Sequence, residues 1–350
     1  MLKAKFISYK LKFKKPSGTS RGILYNKPTW YIIIWDENNR DVYGLGECSP
    51  IPGLSLDNTD QIHSILKEIC DNINNLELID LSLFPCIQFG LEMALLDLQN
   101  NGKRILFNND FSNGLSSIKI NGLIWMSDKN NMLRQIESKI NDGFTCLKLK
   151  IGAIDFNDEL FLLKTIRSQF PLNKLEIRLD ANGAFSVEEA LKKLENLSIY
   201  DIHSIEQPIK QGQIEQMKYL CEFSPIDIAL DEELISVIDI IERKRLLENI
   251  NPRYIILKPS LLGGFAQSES WINIAEQLNI KWWVTSALES NIGLNAIAQF
   301  AAKFSNELPS GLGTGNIYLN NIPSFLELKG DKICISRELK WDYSNLDNFI

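Results

Sequence analysis

A chain of 350 residues with 45% hydrophobic and 23% charged residues is composed like an ordinary globular protein. It is long enough for two cooperating domains, or for a large α/β barrel with an appendage. The formal net charge of −7, without a basic block, excludes a nucleic-acid-binding surface. No apolar run is long enough to span a bilayer, and Met1-Leu-Lys-Ala-Lys5 lacks a signal-peptide pattern, so no membrane association and a cytoplasmic location are expected. The six cysteines are scattered without metal-binding spacing, and His63 and His203 are too few for histidine catalysis or zinc.

The first hundred residues read as α+β. Strands are expected over residues 3–13 and 30–36, followed by a hairpin turn at 36–40 and a returning strand from Val42. Between the first two strands, residues 15–22 are polar and rich in chain breakers, which reads as a mobile loop. The glycines and prolines of Gly44-Leu-Gly-Glu-Cys-Ser-Pro-Ile-Pro-Gly-Leu-Ser55 argue against regular structure there. Helices are expected over 57–72 and 85–100, the second with Ile87, Leu91, Ala94, Leu95 and Leu98 on one stripe.

From about residue 117 short apolar strands alternate with amphipathic helices. Strands are expected near 118–123, 146–151, 175–180, 202–206, 226–231, 254–258 and 281–285, and Asp128 caps a helix whose apolar face is Met132, Leu133, Ile136 and Ile140. This rhythm implies a parallel sheet, either doubly wound or closed into a barrel. Four strands end in an ionisable group, at Asp180, Glu206, Asp231 and Lys258, with spacings of 26, 25 and 27 residues. Filling the same slot on consecutive strands favours the barrel, which brings all its strand ends to one mouth.

In the strand before these, alternation sends Lys148 and Lys150 to one face. A lone Lys-x-Lys reads as a solvated edge strand. Three carboxylates at the same mouth change that reading, since they repel one another unless a divalent cation joins them. An all-oxygen set of Asp180, Glu206 and Asp231 suits Mg²⁺, with Mn²⁺ as a substitute, rather than Zn²⁺. Each acid alone would read as a helix N-cap.

Lys148-Leu-Lys150, Asp180-Ala-Asn182, Glu206-Gln-Pro208, Asp231-Glu232 and Leu257-Lys258-Pro259, in this order, resemble the enolase superfamily, and within it the muconate-lactonizing subgroup. The likeness covers nearly the whole chain. Residues 44–55, Ser286-Ala-Leu-Glu-Ser290 and Gly311-Leu-Gly-Thr-Gly315 look most like the o-succinylbenzoate synthases of that subgroup. The resemblance implies an enolase-like α/β architecture: an α+β capping domain at 1–107, a modified TIM barrel, (β/α)₇β, at 115–320, and a C-terminal segment at 321–350 that returns to the cap. The loop at 15–22 would then close over the mouth.

The same resemblance implies a Mg²⁺-dependent carbon–oxygen lyase of menaquinone biosynthesis acting on a small-molecule carboxylate. Lys150 would take the proton α to the carboxylate and return it to the departing hydroxyl, its pKa lowered by the neighbouring cations. Lys258 would steady the developing charge from the opposite side, and Lys148 would orient the carboxylate. Asn182 and Arg178 are candidates for substrate binding, with turn capping and core ion pairing as their alternatives. Ser286 would offer a hydroxyl to the succinyl end or else cap the helix from about residue 290, and Gly311 and Gly313 would let backbone approach the substrate. The rival readings are an N-acylamino acid racemase with Lys150 and Lys258 as opposed bases, and a noncatalytic barrel that binds an acid. Related dipeptide epimerases carry an Asp-x-Asp in the last barrel loop, where residues 311–315 have no acid.

Overall fold

The computed structural model describes residues 1–19 and 22–346, and the side chains of all of these except 16–19. Strands β1 (Leu2–Thr19), β2 (Gly22–Asp36) and β3 (Asn39–Cys48) form an antiparallel sheet in that order. The β1–β2 ladder runs from Leu2↔Asp36 out to Thr19↔Gly22. Within the stretch expected to be a mobile loop, Ser17, Gly18, Thr19 and Gly22 are therefore paired backbone, and residues 20 and 21 lie outside the described residues. Ladder bonds need only backbone, and Pro16, which has no N–H to give, falls inside the register shift between Lys12 and Ser17.

β3 likewise continues through Gly44 and Gly46, where irregular chain was expected. The glycines are there because helix α2 crosses directly over them: a Cβ on Gly44 would lie 1.8 Å from the Ala94 carbonyl oxygen, and one on Gly46 1.9 Å from that of Gly90. α1 (Thr59–Asp71) starts at Asn58, whose side chain accepts from the Asp60 N–H, and α2 (Pro85–Gln99) starts at a proline that has no N–H to orphan. Ile87, Leu91 and Ala94 of α2 bury with Ile62, Leu66 and Ile69 of α1 against Ile32 and Ile34 of the sheet.

The expected strand at 118–123 is two strands. β4 (Ser117–Lys119) belongs to a separate small sheet, and only β5 (Gly122–Ile124) enters the parallel one. The chain changes partner between them: the Ile120 N–H bonds the Asp331 carbonyl at 2.8 Å, and the Asn121 N–H bonds that of Ser310 at 3.0 Å. After β5 the alternation runs as read: α3 (Lys129–Asn141), β6 (Cys146–Lys150), α4 (Phe156–Gln169), β7 (Glu176–Asp180), α5 (Val187–Ser198), β8 (Ser204–Glu206), α6 (Ile214–Phe223) and β9 (Ile228–Leu230). It continues through α7 (Ile240–Ile250), β10 (Tyr254–Leu257), α8 (Pro259–Leu262), α9 (Phe265–Gln277), β11 (Lys281–Val284) and α10 (Asn291–Ala301). The Asp128 side chain does cap α3, accepting from the Asn131 N–H.

The seven parallel strands lie side by side in chain order from β5 to β11. Ser310 and Gly311 close the ring in the eighth position. Gly311 N–H bonds Val284 at 2.9 Å on one side, while Ser310 accepts from Asn121 on the other. A hairpin of β12 (Leu326–Lys329) and β13 (Lys332–Ile335) then pairs through β13 with β4 rather than with β1–β3. Beyond it, the Tyr343 hydroxyl accepts from Arg104 Nε at 2.8 Å. Among the described residues no helix is long and apolar enough to cross a membrane.

Candidate active site

Strand alternation divides the barrel residues into two sets. Leu147, Leu149, Ile177, Leu179 and Ile205 join the main apolar cluster, while their neighbours turn to the axis. The parallel register stacks those neighbours in rows: Lys150, Asp180 and Glu206 lie side by side, with Lys148, Arg178 and Ser204 one row beneath.

The upper row and its neighbours form a buried ring of alternating charge. Lys148 Nζ reaches up to Glu206 at 2.6 Å and Asp180 at 2.9 Å. Lys150 Nζ lies 3.0 Å from Asp180 and donates to Asn182 Oδ1 at 2.7 Å. Lys258, at the end of β10, pairs with Asp231, at the end of β9, and stands 3.8 Å from Glu206 Oε1. Asp180, Glu206 and Asp231 are all but sealed from solvent. Burial disfavours each charge; at Lys148, Lys258 and Asp180 the partners outweigh it, whereas at Asp231 burial wins and pushes the carboxyl well above its usual range. Lys148 is held well above the usual lysine range by Asp180, Glu206 and Asp231, and Lys258 is raised by Asp231 and Glu206. The Asp180 carboxyl is held below the usual range by Lys148, Lys150 and Lys258. The sequence suggested lysines crowding one another; the structure sets carboxylates between them, and Lys148 keeps its charge for that reason.

Among the described residues no three His, Cys, Asp or Glu side chains stand close enough together to hold a metal, because the carboxylates are turned to the ammonium groups. The donor set nevertheless fits a hard divalent cation. Its ligands would all be oxygens, and Glu206 Oε1 is buried without a hydrogen-bond partner.

The remaining expected residues divide. Asn182 joins the site: it has left-handed backbone (φ 45°) and bridges Lys150 to Glu232, donating to Glu232 Oε1 at 3.0 Å. Ser286 lines the cleft with Gly311 and Gly313, and its hydroxyl meets Thr314 Oγ1 at 2.8 Å. It does not cap the following helix, since Ser290 does. The close packing of Gly311 is against Thr285, whose Oγ1 would lie 2.6 Å from an added Cβ. Arg178 is a correction. One row down, it bonds Glu176 at 2.7 Å and the Pro309 carbonyl at 2.8 Å with its guanidinium 4.2 Å over Trp283, so it points to the foot of the barrel and does not line the cleft. The ion-pairing alternative is the one found.

Glu232 also lines the cleft, although the Asp231-Glu232 motif assigns it no role, and so do Asn121, Thr285 and Leu24, which no sequence motif marks. Asn121 Oδ1 and Thr285 Oγ1 are buried there without partners. Asn121 and Thr285 sit at the seam where the ring closes, which no periodicity announces.

Residues 131–321 match the family model described as Enolase C-terminal domain-like. An o-succinylbenzoate synthase from Desulfotalea psychrophila is 45% identical over 93% of this chain and 96% of its own. The chain belongs to the enolase superfamily. Its place there is the muconate-lactonizing subgroup, as the motifs suggested. The crystal structure of MenC from Desulfotalea psychrophila LSv54 matches with a TM-score of 0.85 at 41% identity, over 95% of this chain and 99% of that one. A dipeptide epimerase from Enterococcus faecalis V583, complexed with Mg and the dipeptide L-Leu-L-Tyr, matches at 0.81 and 21% identity over 97% and 98%. That second likeness is one of fold. The capped α/β barrel expected from the sequence is thus the superfamily's own fold.

Proposed function

We propose that this enzyme is a cytoplasmic carbon–oxygen lyase that dehydrates the succinyl-hydroxy-cyclohexadiene-carboxylate precursor to o-succinylbenzoate in menaquinone biosynthesis. The observation that carries this reading is a pair of opposed lysines in a chain 45% identical to an o-succinylbenzoate synthase. Lys150 ends the second strand of the ring and Lys258 follows the sixth, four positions away in a closure of eight, so they face each other across it.

Asp180, Glu206 and Asp231 would hold Mg²⁺, or Mn²⁺ in its place, and the bound ion would stabilise the negative charge that builds on the substrate carboxylate. The protein's own groups move the proton. Asp180 and Asn182 aim Lys150 Nζ, which in its neutral form accepts the proton α to the carboxylate as the C–H electrons pass into the carboxylate. Those electrons then return to expel the hydroxyl from the adjacent carbon. The Lys150 ammonium gives it the proton, so it leaves as water and the ring becomes aromatic. Lys258 serves as a fixed positive charge on the far side, and Lys148 as the counterion that keeps Asp180 and Glu206 in place.

Purified protein with Mg²⁺ and the cyclohexadiene substrate should convert the diene to o-succinylbenzoate, followed by absorbance and confirmed by chromatography. Recovery of unchanged substrate after prolonged incubation would overturn the proposal.

A further inference from the structure

Leu288 has left-handed backbone, with φ 63°, although it is neither glycine nor asparagine. That conformation costs a side chain free energy and persists only where surrounding contacts impose it. Here two buried side chains impose it through hydrogen bonds. The Leu288 carbonyl accepts from Tyr318 Oη at 2.6 Å and from Lys27 Nζ at 2.9 Å, and Lys27 Nζ also donates to the Ala287 carbonyl at 2.7 Å. Lys27 and Tyr318 are each 2% exposed, so neither group can trade these bonds for water. On the far side of the same turn, Glu289 accepts from the Ala287 N–H at 2.7 Å.

The clamp comes from two directions: Lys27 from strand β2 of the cap, and Tyr318 from the segment that bridges to Phe13 of β1. The residue it constrains lines the cleft. Leu288 packs with Leu24, also of β2 and also in the cleft wall, around Leu11, Phe13 and Tyr318. We propose that Lys27 and Tyr318 are positioning residues that lock Leu288 in its left-handed turn, so that its side chain and Leu24 form the apolar wall against the substrate's carbocyclic ring. The identity of that ring rests on the proposed function, whereas the clamp itself does not. Neither Lys27 nor Tyr318 touches the reacting atoms. Their loss reduces the fraction of enzyme that presents the wall, which raises KM and leaves the lysine chemistry of the bound complex alone.

The test is a double-mutant cycle. Tyr318→Phe should raise KM about fivefold, the worth of one hydrogen bond, with kcat within about twofold of wild type. Leu288→Gly gives up the wall but takes a positive φ freely, so adding Tyr318→Phe to it should move KM by less than about 1.5-fold. Lys27→Gln, which keeps a donor, should shift KM in the same direction as Tyr318→Phe; if it does not fold, the Tyr318 and Leu288 pair decides. Amide hydrogen exchange over residues 286–290 without substrate should quicken in Tyr318→Phe but not further in the double variant. Equal effects in both backgrounds, or an unchanged KM and exchange in Tyr318→Phe, would overturn the clamp. Inactive wild type showing this exchange pattern would overturn the function and leave the clamp standing.

Discussion

Replacing Lys148 by methionine removes the most enclosed cation of the ring and keeps much of its volume. Its ammonium lies within 2.6 Å of Glu206 and 2.9 Å of Asp180, both at most 2% exposed, so its loss strands two buried carboxylates with less positive charge. Breaking a buried pair from one side costs about 3–5 kcal/mol. At roughly 2 °C per kcal/mol for a chain of this size, Tm should fall by about 6–10 °C, measured by calorimetry at pH 7 with chelator present. Saturating Mg²⁺ should then raise Tm more in Lys148→Met than in wild type, because a dication can replace the missing charge. The acid side adds a check on sign. Asp180 titrates below its usual 3.8 in the folded state, so its ionisation stabilises the protein above that value and ceases to as pH falls further. The gap between the two proteins should narrow across that window, since a protonated Asp180 no longer needs the lysine. A variant within about 2 °C of wild type, or equal Mg²⁺ gains in both, would refute this charge accounting.

Lys150→Ala and Lys150→Arg should both lose at least ~10²-fold in kcat with an unchanged circular dichroism spectrum, arginine failing because it stays protonated; more than about a hundredth of wild-type rate would remove Lys150 as the base. Exhaustive chelation should stop turnover, and Asp180→Asn, Glu206→Gln and Asp231→Asn should each nearly abolish it with Mg²⁺ present; full activity without metal would exclude the metal role. Glu159 accepts from the Gly152 N–H at 2.6 Å, and burial pushes its carboxyl up to about 7. The folded state therefore holds an extra proton between pH 4.5 and about 7, and stability declines as pH rises through that window. Glu159→Gln should flatten this slope in denaturant titrations, leaving the share of the other carboxyls that burial raises, among them Asp57 (to about 6), Glu47, Glu92, Asp97, Asp231 and Glu233; an undiminished slope would acquit Glu159.

Periodicity carried most of the barrel, because short buried strands, with apolar residues at least at every second position, alternate with amphipathic helices at a nearly regular interval. The carboxylate row was legible for a related reason: a β/α unit of nearly constant length returns each strand end to the same height, so equal spacing in sequence becomes adjacency in space. The failures come from contacts between distant segments. Gly44 and Gly46 read as breakers until helix α2 is seen lying on them. The partner change at Ile120 and Asn121 depends on Asp331 and Ser310, some two hundred residues further along the chain. Arg178 shares an inward face with Asp180, but alternation fixes the face and not the direction along the axis; Glu176 and Trp283 draw it downward. Leu288 looks like any loop leucine until its carbonyl is found between Lys27 and Tyr318.

In this mechanism one lysine handles the proton while the other only supplies charge. Dehydration and deuterium incorporation in D₂O, followed for wild type and Lys258→Arg with the cyclohexadiene substrate and with both enantiomers of an N-succinyl amino acid, separate that division of labour from a two-base exchange. Wild type should dehydrate rapidly, Lys258→Arg should retain partial dehydration, and exchange into either enantiomer should be slow or undetectable. Fast exchange into both enantiomers by wild type, with exchange of one lost in Lys258→Arg and negligible dehydration throughout, would contradict that division of labour and make the two lysines opposed bases.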